Sequence, residues 1–284
     1  MLAKILVPVR GDGMGKTVIT HAAVLAHRHK AHIVVAHCRL SPQDMMPHRI
    51  ALPAFARKAI VSQAAQLADQ EETALRSSLH AFAAELDLAE TDKPDGTRAT
   101  VEFIEEFGTM AEVIKHNGRL ADLVVVAKPD RDRNLGTNAL KSGLFQTGRP
   151  ILMCPPRTEV SGDFAAHLAV AWNGSLEAAR TVALTLDLVS AAERVTILAV
   201  GRGQPHAASP EELLDYYRLR GIKAEICRFE ARSPGPALLK KTKDIGAGVL
   251  VMGAYGQSHE RETLFGGNTQ TVVDKADILV VMAH

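Results

Sequence analysis

Cysteine is scarce in this sequence. The three present, Cys38, Cys154 and Cys227, are odd in number, far apart and set in strand-like apolar segments. They read as reduced core thiols, which excludes a disulfide framework and a cysteine-based zinc site. An excess of one charge is missing as well. The 33 Lys and Arg stand against 32 Asp and Glu for a formal net charge of +1, so the basic footprint of a nucleic-acid binder is lacking. No apolar run approaches the roughly 18 residues of a membrane span, and Met1 leads straight into the strand-like stretch Lys4 to Val9 without a signal-peptide pattern. The expectation is a cytoplasmic protein with no nucleic-acid partner and no membrane span.

What is present is alternation. Short β-branched runs separated by longer helical stretches are the signature of a parallel sheet covered by helices on both faces. In the first half the strands are Lys4 to Val9, His32 to His37, Thr100 to Ile104, Asp122 to Ala127 and Ile151 to Cys154. The second half repeats the series with His167 to Ala171, Arg194 to Val200, Lys223 to Phe229, Gly248 to Gly253 and Ile278 to Met282. An offset of 162 lays Ile33 to His37 on Val195 to Ala199, and an offset of 126 lays Ala121 to Val126 on Ala247 to Met252. The first half therefore carries an insertion of about 36 residues, the drop from 162 to 126. It coincides with Phe55 to Glu90, free of Gly and Pro and rich in Ala, Leu, Gln and Glu, which predicts a long helix. At 284 residues the chain has room for two domains, expected at 1–156 and 164–284, with Pro155-Pro156 and Arg157 to Asp163 as the linker.

The chemistry-bearing pattern lies in the second half. Its fourth strand runs into Gly253-Ala254-Tyr255-Gly256, and nine residues later comes Gly266-Gly267-Asn268-Thr269 ahead of an apolar helical stretch. Glycines let the main chain approach a ligand closely. The amides of Gly267, Asn268 and Thr269 would open a helix, where free N–H groups and the helix dipole attract an anion. In an open parallel sheet a ligand belongs at the carboxyl ends of the strands, where this loop falls.

This Gly-x2-Gly-x9-Gly pattern, between an apolar strand and a short helix with a terminal strand, resembles the nucleotide signature of the universal stress protein family. The resemblance covers nearly the whole chain as a tandem pair. It implies two five-stranded parallel-sheet sandwiches, Rossmann-like and akin to the adenine nucleotide alpha hydrolases, with ATP across the ends of the first and fourth strands and Mg²⁺ on its phosphates. The nucleotide-binding set it implies is Ala171, Asn173, Val200, Gly253, Gly256, Gly266, Gly267, Asn268 and Thr269. Asn173 stands where the family carries an Asp near the adenine, and can still hydrogen-bond a base without bringing charge. Gly267 stands where the family has Ser or Thr, so an amide remains and a hydroxyl is lost; Thr269 carries the nearest one. The implied activity is a stress-response switch with at most slow ATP hydrolysis, its halves paired within the chain and whole chains paired as homodimers. A scaffold or interaction module without nucleotide is the alternative, and an adenylating enzyme ranks last because its Ser-Gly-Gly-x-Asp-Ser loop is absent.

In the first half the equivalent stretch, Ala127 to Gly136, replaces the paired glycines with a charged loop containing Pro129, so this half is expected to have lost nucleotide binding. Gly11 to Thr17 misses the Walker A count, since three residues rather than four separate Gly11 from Gly15. The twelve histidines form no zinc-protease pair, and Ser175 reads as a helix N-cap. No catalytic residue is assigned.

Overall fold

The structure is a computed structural model that describes residues 1–9, 15–39, 54–130, 132–133, 135–156, 160–201, 206–254 and 267–284. The first half runs β1 (Lys4–Val9), α1 (Gly15–His29), β2 (His32–Arg39), α2 (Ala54–Glu85), β3 (Ala89–Glu90), β4 (Thr100–Phe107), α3 (Met110–Gly118), β5 (Leu123–Ala127), α4 (Thr137–Gln146) and β6 (Ile151–Cys154). The second runs β7 (His167–Ala171), α5 (Leu176–Leu184), α6 (Leu186–Ser190), β8 (Arg194–Val200), α7 (Pro210–Arg218), β9 (Ala224–Phe229), α8 (Pro234–Asp244), β10 (Val249–Gly253), α9 (Gly267–Lys275) and β11 (Leu279–Ala283). No described helix is long and apolar enough to cross a membrane.

The strands read as continuous apolar runs because both faces of the sheet are covered. Alternate residues feed two cores. Ile5, Val7, Ile33, Val35, Val249 and Val251 face one, shared with α1, α5 and α7. Leu6, Val34, Leu250 and Met252 face the other, with α4, α8 and α9. Local chemistry starts the helices. Thr109 and Glu112 form a capping box on α3, Ser209 and Glu212 another on α7, and Ser175 accepts from the Ala178 amide to cap α5. The three cysteines are free thiols, and burial pushes that of Cys154 up.

The expected α/β architecture is present, and the two strand series share one sheet in the order β3-β4-β2-β1-β5-β6-β11-β10-β7-β8-β9. Every neighbouring pair is parallel except β6 and β11. Their register centres on two equivalent residues. Val124 pairs with Ile151 and Leu250 with Val280, and Val124 corresponds to Leu250 at the offset of 126, so Leu152 corresponds to Val281. In the antiparallel ladder Leu152 faces Val281, Met153 faces Val280 and Ile151 faces Met282, the pattern of a local two-fold axis through the seam. All six side chains are buried. Cations reinforce the seam from either side: Lys128 Nζ donates to the Ala276 carbonyl at 2.8 Å, and Arg28 Nε to that of Ala191 at 3.0 Å.

Two differences from the sequence reading concern the insertion. Its helix ends at Glu85, five residues short of Glu90, because Asp87 takes a left-handed conformation (φ 51) that turns the chain. Ala89 and Glu90 then pair with Thr100 and Val101 as an extra edge strand.

Replacing Leu152 by Ala should cost about 2–5 kcal/mol, and urea unfolding should still show both halves losing structure in one transition. Acid should also weaken the fold through two histidines. Burial, with the amino-terminal ammonium and then Arg28 adding to it, holds His29 below its ordinary 6.5, and burial with Arg194 does the same for His167. The unfolded chain thus takes up protons that the folded chain refuses, so this stability is complete above about pH 6.5 and is lost as pH falls from there towards the folded values. The urea midpoint should drop between pH 7.5 and 5.5, and His29→Gln should shallow that slope.

Candidate functional site

The second half forms a crevice where its strand order reverses. From β7 the chain passes through α5 on one face to β8, while β10, the other neighbour of β7, is covered on the opposite face by α8 and α9. Ligands of open parallel sheets bind outside the carboxyl ends at such a point. There Ala171 and Val200 end β7 and β8 and pack, half-buried, against the same core as α8 and α9. Asn173 is exposed just beyond, and its Oδ1 accepts from the Ser175 amide at 3.1 Å. One lone pair of the side chain therefore shapes the turn into α5.

Gly253 ends β10, and its lack of a side chain has a structural cause. A Cβ there would lie 2.7 Å from both the Ala178 nitrogen and the Glu177 carbonyl carbon, so glycine admits the first turn of α5. At Gly174 (φ +74) a Cβ would lie 2.5 Å from that of Ala207. The loop after β8 is drawn in by Trp172, buried, whose Nε1 donates to the Ala208 carbonyl at 2.8 Å. Sequence reasoning assigned Trp172 no role. A lone tryptophan at a strand end was the available signal, since a buried indole N–H demands an acceptor.

Gly267 opens α9, and a Cβ on it would meet no atom of the described residues within 4 Å. The next two side chains are engaged in the fold: Asn268 Oδ1 accepts from the Gly235 amide at 3.4 Å, tying the start of α9 to the start of α8, and Thr269 is buried. The main-chain amides at the start of a helix such as α9 are suited to an anion. Gly256 and Gly266 lie outside the described residues, as do His259 to Glu262 and the glycines at 11 and 13.

In the first half the equivalent loop closes on itself. Asp130 and Leu135 exchange main-chain hydrogen bonds of 3.0 and 2.9 Å, and a Cβ on Gly136 would lie 3.2 Å from Pro129 Cα. Beside it is a cavity of about 310 Å³ bordered by Lys128, Arg133 and Asp274. Burial holds Lys128 below the usual lysine range. Lys16, the P-loop-like lysine, is spent on Glu85 at 2.9 Å. Among the described residues no group of three or more His, Cys, Asp or Glu side chains has the arrangement of a metal site.

Gly253→Ala should force α5 away from β10 and cost about 1–3 kcal/mol, read as a lowered thermal midpoint, whereas Gly267→Ala should leave that midpoint within about 1 kcal/mol of wild type.

Comparison with known proteins agrees with this fold. The universal stress protein family model matches residues 160–284. Among solved structures, a universal stress protein from Archaeoglobus fulgidus DSM 4304 superposes with TM-score 0.68 at 16% identity, over 99% of this chain and 95% of that one. A functionally unknown protein from Pseudomonas aeruginosa PAO1 gives 0.59 at 13%, over 99% and 92%. The cytoplasmic domain of a prokaryotic cation chloride cotransporter gives 0.55 at 10%, over 99% and 95%. No curated protein matches the chain. At these identities the structural likeness concerns fold alone, and the family assignment rests on the sequence match. Residues 160–284 are a universal stress protein domain, within a chain that has the fold of a solved universal stress protein along nearly its whole length.

Proposed function

We propose that the second half binds ATP or a related adenine nucleotide as a stress-response switch, with at most slow hydrolysis. The observation that carries this reading is that α9 starts at the carboxyl ends of β7 and β10, where a Cβ on Gly267 would meet no described atom within 4 Å. Main-chain amides there would hold the phosphates, with Mg²⁺ offsetting their charge. Ala171 and Val200, on the α9 side of the sheet, would frame the base, with Asn173 at its edge. Gly253, Gly256 and Gly266 would let the loop approach, Gly253 serving α5 as well. The reading also includes a cytoplasmic setting, pairing of the two halves through the β6–β11 seam and homodimers of whole chains.

One observation favours a second reading, a scaffold without nucleotide. The Asn268 side chain is engaged with Gly235 and Thr269 is buried, so the helix start offers a phosphate no side-chain hydroxyl in the position the resemblance requires.

Calorimetric titration of Mg-ATP separates the two. The expected result is one site, weakened at least about tenfold by Gly267→Asp, since a carboxylate at the helix start competes with phosphate for the same amides. The variant's thermal midpoint should be unchanged, because Gly267 is exposed and the added Cβ meets no described atom within 4 Å. Wild-type protein that takes up no Mg-ATP would leave the scaffold reading standing.

A further inference from the structure

Helix α2 is attached unlike its neighbours. Its 32 residues extend about 48 Å at 1.5 Å per residue, whereas the eight-residue strands β2 and β4 span about 26 Å. In α1, eight of the 15 residues are buried. Among the described side chains of α2 only Ala83 is buried, with Leu75, Leu79 and Phe82 half-buried against the core. Beneath them a void of about 20 Å³ lies among Ile19, Val35, Val101 and Phe103.

Among the described side chains of α2, charge supplies much of the hold. Arg39, the last residue of β2, reaches Asp69 and Glu72 on α2 and Glu105 on β4. Arg76 pairs with Glu72 at 3.2 Å and lies 4.7 Å over the Phe103 ring. At the far end Lys16 holds Glu85 and lies over Phe82, and His27 meets the Leu86 carbonyl at 2.8 Å. The Arg39, Glu72 and Glu105 side chains are only 13, 20 and 17% exposed, so the carboxylates on α2 and β4 would repel across a poorly screened gap without the guanidinium. Under the helix, His37 Nδ1 and Arg39 Nε are buried with no partner among the described residues. Loose packing and orphaned polar atoms lower the cost of separating two surfaces.

We propose that α2 is a strap, latched by the Arg39 cluster, that leaves the face formed by α1, β2 and β4 as one unit while the sheet beneath stays folded. Release uncovers Ile19, Val35, Val101 and Phe103. The latch strength follows the charge balance of two arginines, Arg39 and Arg76, against three carboxylates, Asp69, Glu72 and Glu105, so this half carries a conformational control independent of any ligand in the other half.

Hydrogen exchange read by mass spectrometry on the full chain tests this. In wild type, peptides from 69–85 should exchange at least about tenfold faster than those of α1, the mark of a sub-global opening. Arg39→Met should speed them by about tenfold more while β5 and β10 peptides keep their protection, and should increase binding of an apolar dye. If Arg39→Met does not fold, Asp69→Asn with Glu72→Gln removes both helix partners and keeps the Arg39–Glu105 pair; the expected gain is about three- to tenfold, confined to α2. Protection of α2 equal to that of α1 in wild type overturns the proposal. So does loosening of β1, β5 and α2 together, or an unchanged α2 in the double variant.

Discussion

The molecule depends on a short antiparallel ladder. Ile151, Leu152 and Met153 pair with Met282, Val281 and Val280, and without that contact the sheet would fall into two pieces, each with a bare apolar edge. Unpaired edges of this kind invite association with other chains. Here each edge is covered by its counterpart, and both hydrophobic cores pass through the join without a break. Because the two strands run in opposite directions, the carboxyl ends of the two strand series lie on opposite margins of the sheet. The carboxyl ends of β7 and β10 and the closed loop after β5 therefore lie on opposite margins, while the far end of α9 reaches the first-half loop through Asp274 and the Ala276 carbonyl.

Much of the fold was legible because its strands are buried on both faces. The bounds of β1, β6, β7 and β8 agree with the sequence reading residue for residue; in the sequence Arg10, Pro155 and Gly201 close the apolar runs of β1, β6 and β8. The helix of the insertion was legible for the same kind of reason, but its end was not. Asp87 turns the chain without the Gly or Pro that announces such a stop. The join itself was hidden: Ile151 to Cys154 and Leu279 to Ala283 look like any interior strand, and which edge pairs with which is decided by tertiary packing.

At the candidate site, residue type and residue role separate. Gly253 and Gly267 looked alike in sequence, two glycines flanking one loop. In the structure the first makes room for the protein's own helix, and the second has no described atom within 4 Å of where its Cβ would be. The Asn268 side chain is tied to Gly235 and that of Thr269 is buried, so both serve the fold. The clearest signal missed was Trp172, whose indole holds the loop after β8 against the strand end through Ala208.

The local two-fold at Leu152 and Val281 has a consequence for how such a molecule can change. A contact of this symmetry between two identical chains would receive every substitution twice, once on each side of the axis. Within one chain it receives each substitution once. Pro129 and the charged residues around it could thus enter one loop while Gly253 to Gly256 stayed in the other, and a 36-residue insertion could be accommodated on one flank alone. Covalent continuity turned a symmetric contact into a licence for asymmetry.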